Sequence, residues 1–180
     1  MRVITGIARG KRLETLEGND VRPTTDMVKE AVFSIIQFQI EGRKFLDLFA
    51  GCGQIGIEAI SRGAEVAYFV DQSRNSQLVI EKNIRETNFS DKSKIVRSDA
   101  LSFIKNFDGK FDIAYLDPPY RLNLIEECLP YVADKMNKTG IIVCETSIDR
   151  QLPDCAGDFV LNREYRYGKI KVATYICKQD

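Results

Sequence analysis

The 180-residue sequence contains no histidine. Without imidazole, the chain cannot form the Ser–His–Asp or Cys–His pairs of nucleophilic enzymes, nor a histidine-ligated zinc site. It has no apolar run near the roughly 20 residues that a bilayer-spanning helix needs. Its first residues, MRVITGIARGKRL, carry charge and glycine where a signal peptide needs an apolar core. We therefore expect a cytoplasmic protein that uses neither imidazole nor a metal.

The sequence also lacks the C-x-x-C spacing of redox and metal sites, and its number of cysteines is odd. The five are Cys52, Cys128, Cys144, Cys155 and Cys177. Reduced and mostly buried thiols are the expectation.

The chain has no net charge, because 26 Lys and Arg balance 26 Asp and Glu. The cations nevertheless concentrate at both ends: Arg2, Arg9, Lys11 and Arg12 within residues 1–13, and Arg163, Arg166, Lys169, Lys171 and Lys178 within residues 163–178. Glu164 is the only acid in these two stretches. Such clusters indicate either a polyanion site or charged edge strands that resist pairing.

Hydrophobic patterning predicts one domain over residues 1–180. Residues 1–43 read as a β-hairpin, a loop and a helix ending near Gln39. From residue 44 onward, buried strands alternate with helices, and two final strands at about 158–166 and 170–178 should pair antiparallel. The prediction is a doubly wound, Rossmann-like α/β sheet of seven strands, parallel except for that C-terminal pair.

A glycine motif follows the first buried strand. Gly51, Gly53 and Gly56 spell G-x-G-x-x-G, and Asp71 ends the next strand. A backbone that approaches an adenosine cofactor closely needs such glycines, and an acid at the second strand holds the ribose hydroxyls. By itself this motif fits both a nicotinamide dinucleotide and S-adenosylmethionine.

Three further features favour S-adenosylmethionine. Asp47, four residues before Gly51, would repel a pyrophosphate but can help bind an ammonium group. Asp99, with Ala100 behind it, is expected to end the third strand and to face the adenine amino group. The fourth strand ends in Asp117-Pro118-Pro119-Tyr120, which suits methyl transfer to an amine and has no use in hydride transfer.

Each of these features also has a purely structural interpretation. Asp47 could be a buried carboxylate that caps the next helix, and Asp71 and Asp99 could be strand-end caps. The tetrapeptide D-P-P-Y could be only a rigid turn, since proline cannot continue a sheet. Their joint order and spacing favour the methyltransferase interpretation.

The D-P-P-Y tetrapeptide fits the chemistry of a base amine, which is a poor nucleophile because its lone pair is delocalised into the ring. The Asp117 carboxylate and a carbonyl of the Pro118-Pro119 segment can accept both N–H bonds, and the prolines add no competing donor. This orients the lone pair toward the methyl group. Tyr120 can stack on a base that is unpaired or flipped out.

Taken together, the hairpin, RPTTDMVKEAVFSII, DLFAGCGQIGIEAISRGA, FVD and DPPY resemble one family over essentially the whole chain. That family is the bacterial small-subunit ribosomal RNA guanine-N2 methyltransferases of the methyltransferase D type, whose members modify 16S rRNA. The resemblance implies S-adenosylmethionine as cofactor and 16S rRNA or the small-subunit particle as partner. GCGQIG departs from the GSGALG more common in the family, at Cys52 and Gln54, and we expect cofactor binding to survive.

The resemblance also implies functions for individual residues. The implied cofactor-binding residues are Arg22, Pro23, Thr24, Thr25, Asp47, Phe49, Ala50, Gly51, Gly53, Gly56, Asp71, Gln72, Asp99 and Ala100. Asp117, Pro118, Pro119 and Tyr120 would hold guanine as the catalytic residues, and Arg2, Arg9, Lys11 and Arg12 would bind RNA.

Other functions remain open from the sequence. An adenine-N6 DNA methyltransferase or another amino-group methyltransferase shares the D-P-P-Y tetrapeptide. A nicotinamide-dependent oxidoreductase and a non-catalytic RNA-binding module are more remote alternatives. We expect a monomer, and the modified nucleotide is not determined by the sequence.

Overall fold

The computed structural model describes residues 1–16, 26–119 and 123–178. Its helices are α1 (Asp26–Ile36), α2 (Gln54–Ser61), α3 (Arg74–Thr87), α4 (Ala100–Asn106) and α5 (Leu124–Asp134), with a short 3-10 helix at Ser90–Lys92. Its strands are β1 (Lys44–Asp47), β2 (Val66–Asp71), β3 (Ser93–Arg97), β4 (Phe111–Leu116), β5 (Met136–Ser147), β6 (Cys155–Ala156), β7 (Phe159–Tyr167) and β8 (Ile170–Cys177). None of the helices in these ranges is long and apolar enough to cross a membrane.

The strands form one twisted sheet in the order β3-β2-β1-β4-β5-β8-β7-β6. Strands β1 to β5 are mutually parallel, whereas β5–β8, β8–β7 and β7–β6 pair antiparallel. The predicted Rossmann-like class is therefore confirmed, with an eighth strand in addition to the seven expected. The extra strand, β6, has only two residues, too few to show the alternation from which a strand is predicted.

Buried side chains form an apolar layer on each face of the sheet. One layer contains Phe33 of α1, Ile57 of α2 and Tyr115 of β4. The other contains Leu116 of β4 and Leu129 of α5. The strands in the middle of the sheet are covered on both faces, which is why they read as nearly continuous apolar runs.

Two predicted boundaries differ from the structure at the N-terminal end. Helix α1 ends at Ile36, three residues before the predicted end, where a turn closes with Gln39 N–H donating to the Ile36 carbonyl. Residues 1–13 form a loop closed by a single β-bridge, Arg2 to Arg12, instead of an extended two-stranded hairpin. The reason is that several backbone N–H groups of this loop bond to α2 and not across a ladder.

Candidate active site

The loop between β1 and α2 contains the three motif glycines, and each has a different physical role. Gly51 and Gly53 have φ of +55° and +80°, a backbone region that disfavours other residues. A Cβ on Gly51 would meet nothing within 4 Å, so the loop faces open space there. A Cβ on Gly56 would lie 2.3 Å from the Phe69 ring, so glycine lets α2 pack closely on β2. This division of roles matches the loop expected at an adenosine site.

Asp71, the last residue of β2, reaches back to this loop. Its Oδ2 accepts the Gly51 N–H at 3.0 Å, and its Oδ1 accepts the Ser73 N–H at 2.8 Å. Because each carboxylate oxygen can accept a second hydrogen bond, capacity is left for a diol. The side chain is half-buried at the mouth of the loop, and Gln72 beside it is exposed.

Asp47 ends β1 and is the buried acid of the site, with 1% of its surface exposed. Its Oδ2 accepts the Gly56 N–H at 3.0 Å, in the first turn of α2. It therefore does cap the next helix, as its structural interpretation proposed. Burial raises the pKa of Asp47 to about 7, the Gly56 hydrogen bond opposes the rise, and the negative charge of Asp71 adds to it. A cation bound next to it would restore the ionised form.

Asp99 does not end β3, which stops at Arg97; this part of the prediction is wrong. It is the N-cap of α4, where its Oδ1 accepts the Ser102 N–H at 2.8 Å, and this bonding lowers the pKa of Asp99. An N-cap residue lies just outside its helix and bonds the first turn through its side chain, so Asp99 belongs to the start of α4 and not to β3. Ala100, half-buried, opens α4 behind it.

The turn predicted to be catalytic begins immediately after β4, and we call it the Asp117 turn. Strand β4 ends at Leu116, so Asp117 lies one residue beyond the strand and is half-buried; Pro118 is buried and Pro119 exposed. The β1–β4 register pairs Asp47 with Tyr115, two residues before Asp117. At about 3.3 Å per residue, the Asp117 backbone lies roughly 6.6 Å further along its strand than the level of Asp47. The two acids thus stand at adjoining strand ends.

The half-buried Phe49 and the buried Ala50 continue the loop from β1, and the Ala50 N–H donates to the Val70 carbonyl at 2.9 Å. Five predicted site residues lie outside the described residues: Arg22, Pro23, Thr24, Thr25 and Tyr120. The other predicted cofactor and catalytic residues are on β1, on β2, at the start of α2 and α4, and after β4, at the carboxyl edge of the parallel strands, where open α/β sheets bind ligands.

Two polar groups of the site were not singled out as functional by the sequence. Tyr115 donates its hydroxyl hydrogen to Oε2 of Glu145, which is 1% exposed on β5, the strand next to β4. Gln54 at the start of α2 carries a buried Oε1 that accepts no hydrogen bond from any residue the structure describes. The sequence does carry a signal for the Tyr115–Glu145 pair, because Glu145 is the single charged residue in the apolar run GIIVCET. An unpartnered buried acceptor beside the loop suits a ligand with a donor.

The N-terminal loop is fixed to the core next to this site. The Glu58 carboxylate of α2, fully buried, accepts the N–H groups of Ile4 and Thr5 at 2.7 and 2.9 Å. Asn83 of α3 bonds both backbone groups of Glu14 and donates to the Cys52 carbonyl of the glycine loop at 2.9 Å. The side-chain amide of Asn83 thus connects the N-terminal loop to the glycine motif.

The four cations predicted to bind RNA are on the outside of this N-terminal loop. Arg2, Arg9, Lys11 and Arg12 are all exposed. Arg2 lies 3.8 Å from the Asp26 carboxylate, and its carbonyl accepts a hydrogen bond from the buried Lys29. These exposed cations thus project from a backbone that is fixed to α2 and α3.

All five cysteines are free thiols; Cys52, Cys128 and Cys144 are buried, Cys177 is half-buried and Cys155 is exposed. Three of the five thiols are buried, as the sequence predicted. Burial raises the pKa of Cys52 in the glycine loop, so the thiol stays protonated and weakly nucleophilic.

The arrangement agrees with comparisons to known proteins. The model of the family described as "Conserved hypothetical protein 95" matches residues 1–176. The chain belongs to this family. It is 36% identical over 180 residues to "Putative rRNA methyltransferase YlbH" of Bacillus subtilis, covering 97% of this chain and 98% of the relative. It is 31% identical to "Ribosomal RNA small subunit methyltransferase D" of Escherichia coli, covering 97% of this chain and 89% of the relative.

Among solved structures, this member of the family is similar to "Putative methyltransferase yhhF from Escherichia coli", with a TM-score of 0.89 and 29% identity. The alignment covers 99% of this chain and 98% of that one. The predicted resemblance to the small-subunit methyltransferase D type is therefore confirmed at the level of the family, and the Rossmann-like fold is confirmed by the structural match.

Proposed function

We propose that this chain transfers a methyl group from S-adenosylmethionine to the exocyclic N2 amine of a guanine in 16S ribosomal RNA. Methylation of ribosomal RNA is supported by the names of the relatives that match nearly the whole chain. The guanine N2 amine is the finer part of the proposal and rests on the chemistry of the Asp117 turn and on the sequence resemblance.

The residues present fit the cofactor. Asp47 at the base of the glycine loop offers a negative charge for the ammonium group, and Asp71 offers acceptor capacity for the ribose hydroxyls. The free Oε1 of Gln54 offers a further acceptor, and the open space before Gly51 leaves room for a ligand. When bound, S-adenosylmethionine supplies an electrophilic methyl group on a sulfonium.

The chain's own contribution is to hold the amine. Asp117 accepts one N–H of the target amine and a carbonyl of the Pro118-Pro119 segment accepts the other, which directs the nitrogen lone pair outward toward the cofactor. The rate gain comes from orientation and electrostatics in a partly desolvated site, without a strong base. The proton that the amine loses on methylation leaves along its hydrogen bond to Asp117 and passes to water. Tyr120 is proposed to stack on the base. Because this turn is at a strand end, the base must leave any helix to reach it.

The observation that carries the proposal is the strand register: the Asp117 turn follows β4, the strand next to β1, which ends in Asp47. An amine acceptor and a cofactor loop on adjoining strand ends are what a direct methyl transfer between two bound molecules requires. Arg22 to Thr25 are proposed to close over the methionine end of the cofactor, and Asp99 with Ala100 to contact the adenine.

The test is transfer of tritium from methyl-labelled S-adenosylmethionine to three acceptors: free small-subunit RNA, small-subunit particles and DNA. We expect label in one of the two RNA acceptors, and N2-methylguanosine after digestion to nucleosides. Label in DNA as N6-methyladenine would replace the proposal with the DNA methyltransferase alternative. Label in RNA on another base would retain RNA methylation and overturn the guanine assignment.

A further inference from the structure

The hairpin formed by β7 and β8 ends at the same edge of the sheet as the candidate active site. The β4–β5 register runs to Leu116 and Cys144, so β5 continues for three residues to Ser147, alongside the Asp117 turn. Ser147 pairs with Ile170 of β8, which in turn pairs with Tyr167 of β7. The tip of the hairpin therefore lies level with the Asp117 turn.

The surface of this tip is basic and aromatic. Arg163, Arg166 and Lys169 are exposed, and no residue in the described ranges forms a salt bridge with them. Tyr165 and Tyr167 are half-buried and pack against the apolar layer on the α1 face of the sheet. The Arg163 guanidinium lies 5.9 Å from the centre of the Tyr165 ring.

The adjacent acid does not neutralise this surface. Glu164 lies 2.8 Å from the ammonium of Lys171, a buried lysine on β8, and so already has a cation of its own. Arg163, Tyr165 and Tyr167 share one face of β7, Arg166 projects from the opposite face, and Lys169 lies at the turn. Cations therefore surround two partly exposed rings at the tip, which suits an anionic chain that carries flat bases.

We propose that the tip of the β7–β8 hairpin, residues 163–169, binds the RNA nucleotides next to the target base. The cations contact phosphates, and the rings of Tyr165 and Tyr167 stack on unpaired bases. This inference rests on the proposed function, since it assumes that the strand entering the Asp117 turn is RNA.

The geometry of the sheet supports this occupant. Three strand spacings of about 4.8 Å separate β4 from β7, so the tip lies about 14 Å from the Asp117 turn along one edge. The N-terminal cations are on the other side of β4, because their loop is fixed to α2, which packs on β1 and β2. A nucleic-acid chain with its target base in the turn would thus meet cations in both directions.

The alternative for this surface is protection of a strand edge. In the described part of the sheet, β6 pairs with Phe159 and Val160, and the remainder of β7 forms an open edge. Charges on this edge would block pairing with another chain. That explanation predicts self-association when the charges are removed, with no change in RNA binding.

The first experiment measures affinity for a transcript of bacterial small-subunit ribosomal RNA at several salt concentrations. We compare R166Q/K169Q with the control K94Q/K138Q. The control removes two exposed cations near the amino ends of β3 and β5, at the edge of the sheet away from the Asp117 turn. We expect the salt slope of R166Q/K169Q to flatten by about 1.4 units, from about 0.7 per single-strand phosphate contact. The control variant should keep the wild-type slope.

The second experiment separates stacking from charge. Y165A/Y167A should weaken RNA binding by about 30-fold or more, from about 1–3 kcal/mol for each of two stacked bases, whereas Y165F/Y167F, which keeps both ring faces, should remain near wild type. Y131A removes an exposed tyrosine of α5 and serves as the matched control. Calorimetry with S-adenosylhomocysteine checks that each variant retains a folded site.

The outcomes separate this inference from the proposed function. If the wild type methylates RNA but R166Q/K169Q and Y165A/Y167A bind it like their controls, the hairpin inference is overturned and the function stands. Self-association of R166Q/K169Q with unaltered RNA affinity overturns it in favour of edge protection. If the wild type methylates only DNA, the function fails first. The RNA-affinity measurement does not depend on methyl transfer, so it tests the hairpin even in a protein without activity. If Y165A/Y167A misfolds, R166Q/K169Q still tests the cations, and Y165F/Y167F still tests the tyrosine hydroxyl groups.

Discussion

Replacing Asp47 with asparagine tests the central electrostatic argument of the site. Asparagine has nearly the same shape, and its amide oxygen can still accept the Gly56 N–H that Asp47 Oδ2 accepts at 3.0 Å. The substitution therefore removes the charge and keeps the helix cap. Its effect on stability and its effect on cofactor binding should have opposite signs.

For stability, the pKa of Asp47 rises from 3.8 to about 7 on folding, mainly through burial. A group whose pKa is raised in the folded state stabilises the fold below its unfolded pKa, and that contribution is lost as pH rises through the folded value. At about 1.36 kcal/mol per pKa unit, the raised pKa of Asp47 costs roughly 4 kcal/mol near pH 8, where the buried group is ionised. It costs roughly 2 kcal/mol near pH 5.5, where the folded protein binds a proton that the unfolded chain has released. D47N should therefore unfold at higher denaturant concentration than the wild type, with the larger gain near pH 8.

For binding, the ammonium group of the cofactor should favour ionised Asp47, and the complex should form with release of a proton below pH 7. Between about pH 6 and pH 7.5, the ionised fraction of Asp47 rises about eightfold. Over this pH range, the ratio of wild-type affinity to D47N affinity for S-adenosylhomocysteine should therefore rise about eightfold. Titration of the ligand itself affects both proteins equally and cancels in this ratio. Near pH 7.5, D47N should bind about 10- to 100-fold more weakly, as expected for loss of a charged partner.

Calorimetry at the two pH values and urea unfolding near pH 5.5 and pH 8 measure both effects. Equal pH profiles for the two proteins would show that the ammonium group is not bound by Asp47. A D47N variant less stable than the wild type near pH 8 would show that the buried carboxylate is compensated, and would refute the argument from burial.

Three further substitutions test the remaining parts of the site. Asp71→Ala should weaken S-adenosylhomocysteine binding by about 1.5–3 kcal/mol in calorimetry, through lost charge-assisted hydrogen bonds; an unchanged dissociation constant would mean that the ribose is bound elsewhere. Asp117→Ala should abolish tritium transfer while cofactor affinity stays within a few fold; loss of cofactor binding instead would assign Asp117 to the cofactor site or to the fold. Joint replacement of Arg9, Lys11 and Arg12 by alanine should flatten the salt slope of RNA binding by roughly two to three units and leave cofactor affinity unchanged. A triple variant with the wild-type slope would exclude the N-terminal loop as an RNA contact.

The sequence alone determined the features that depend on neighbouring residues. Alternating apolar strands and amphipathic helices predicted the five α-helices of the described residues and all of their strands except β6, but not the 3-10 helix at Ser90–Lys92. The glycine loop, Asp71 and Asp117 to Pro119 were found at their expected strand ends because parallel strands connected by helices all end at one edge of the sheet. These are local patterns of hydrophobicity, turn chemistry and spacing, and a single chain segment displays them.

Tertiary structure alone decided the features that join distant segments. The insertion of β8 between β5 and β7, the hydrogen bonds from the N–H groups of Ile4 and Thr5 to Glu58, and the Tyr115–Glu145 pair all connect residues far apart in sequence. The raised pKa of Asp47 is of the same kind. Burial of a carboxylate, and the register that brings two acids to neighbouring strand ends, depend on how the elements pack together, and no local stretch of sequence carries that information.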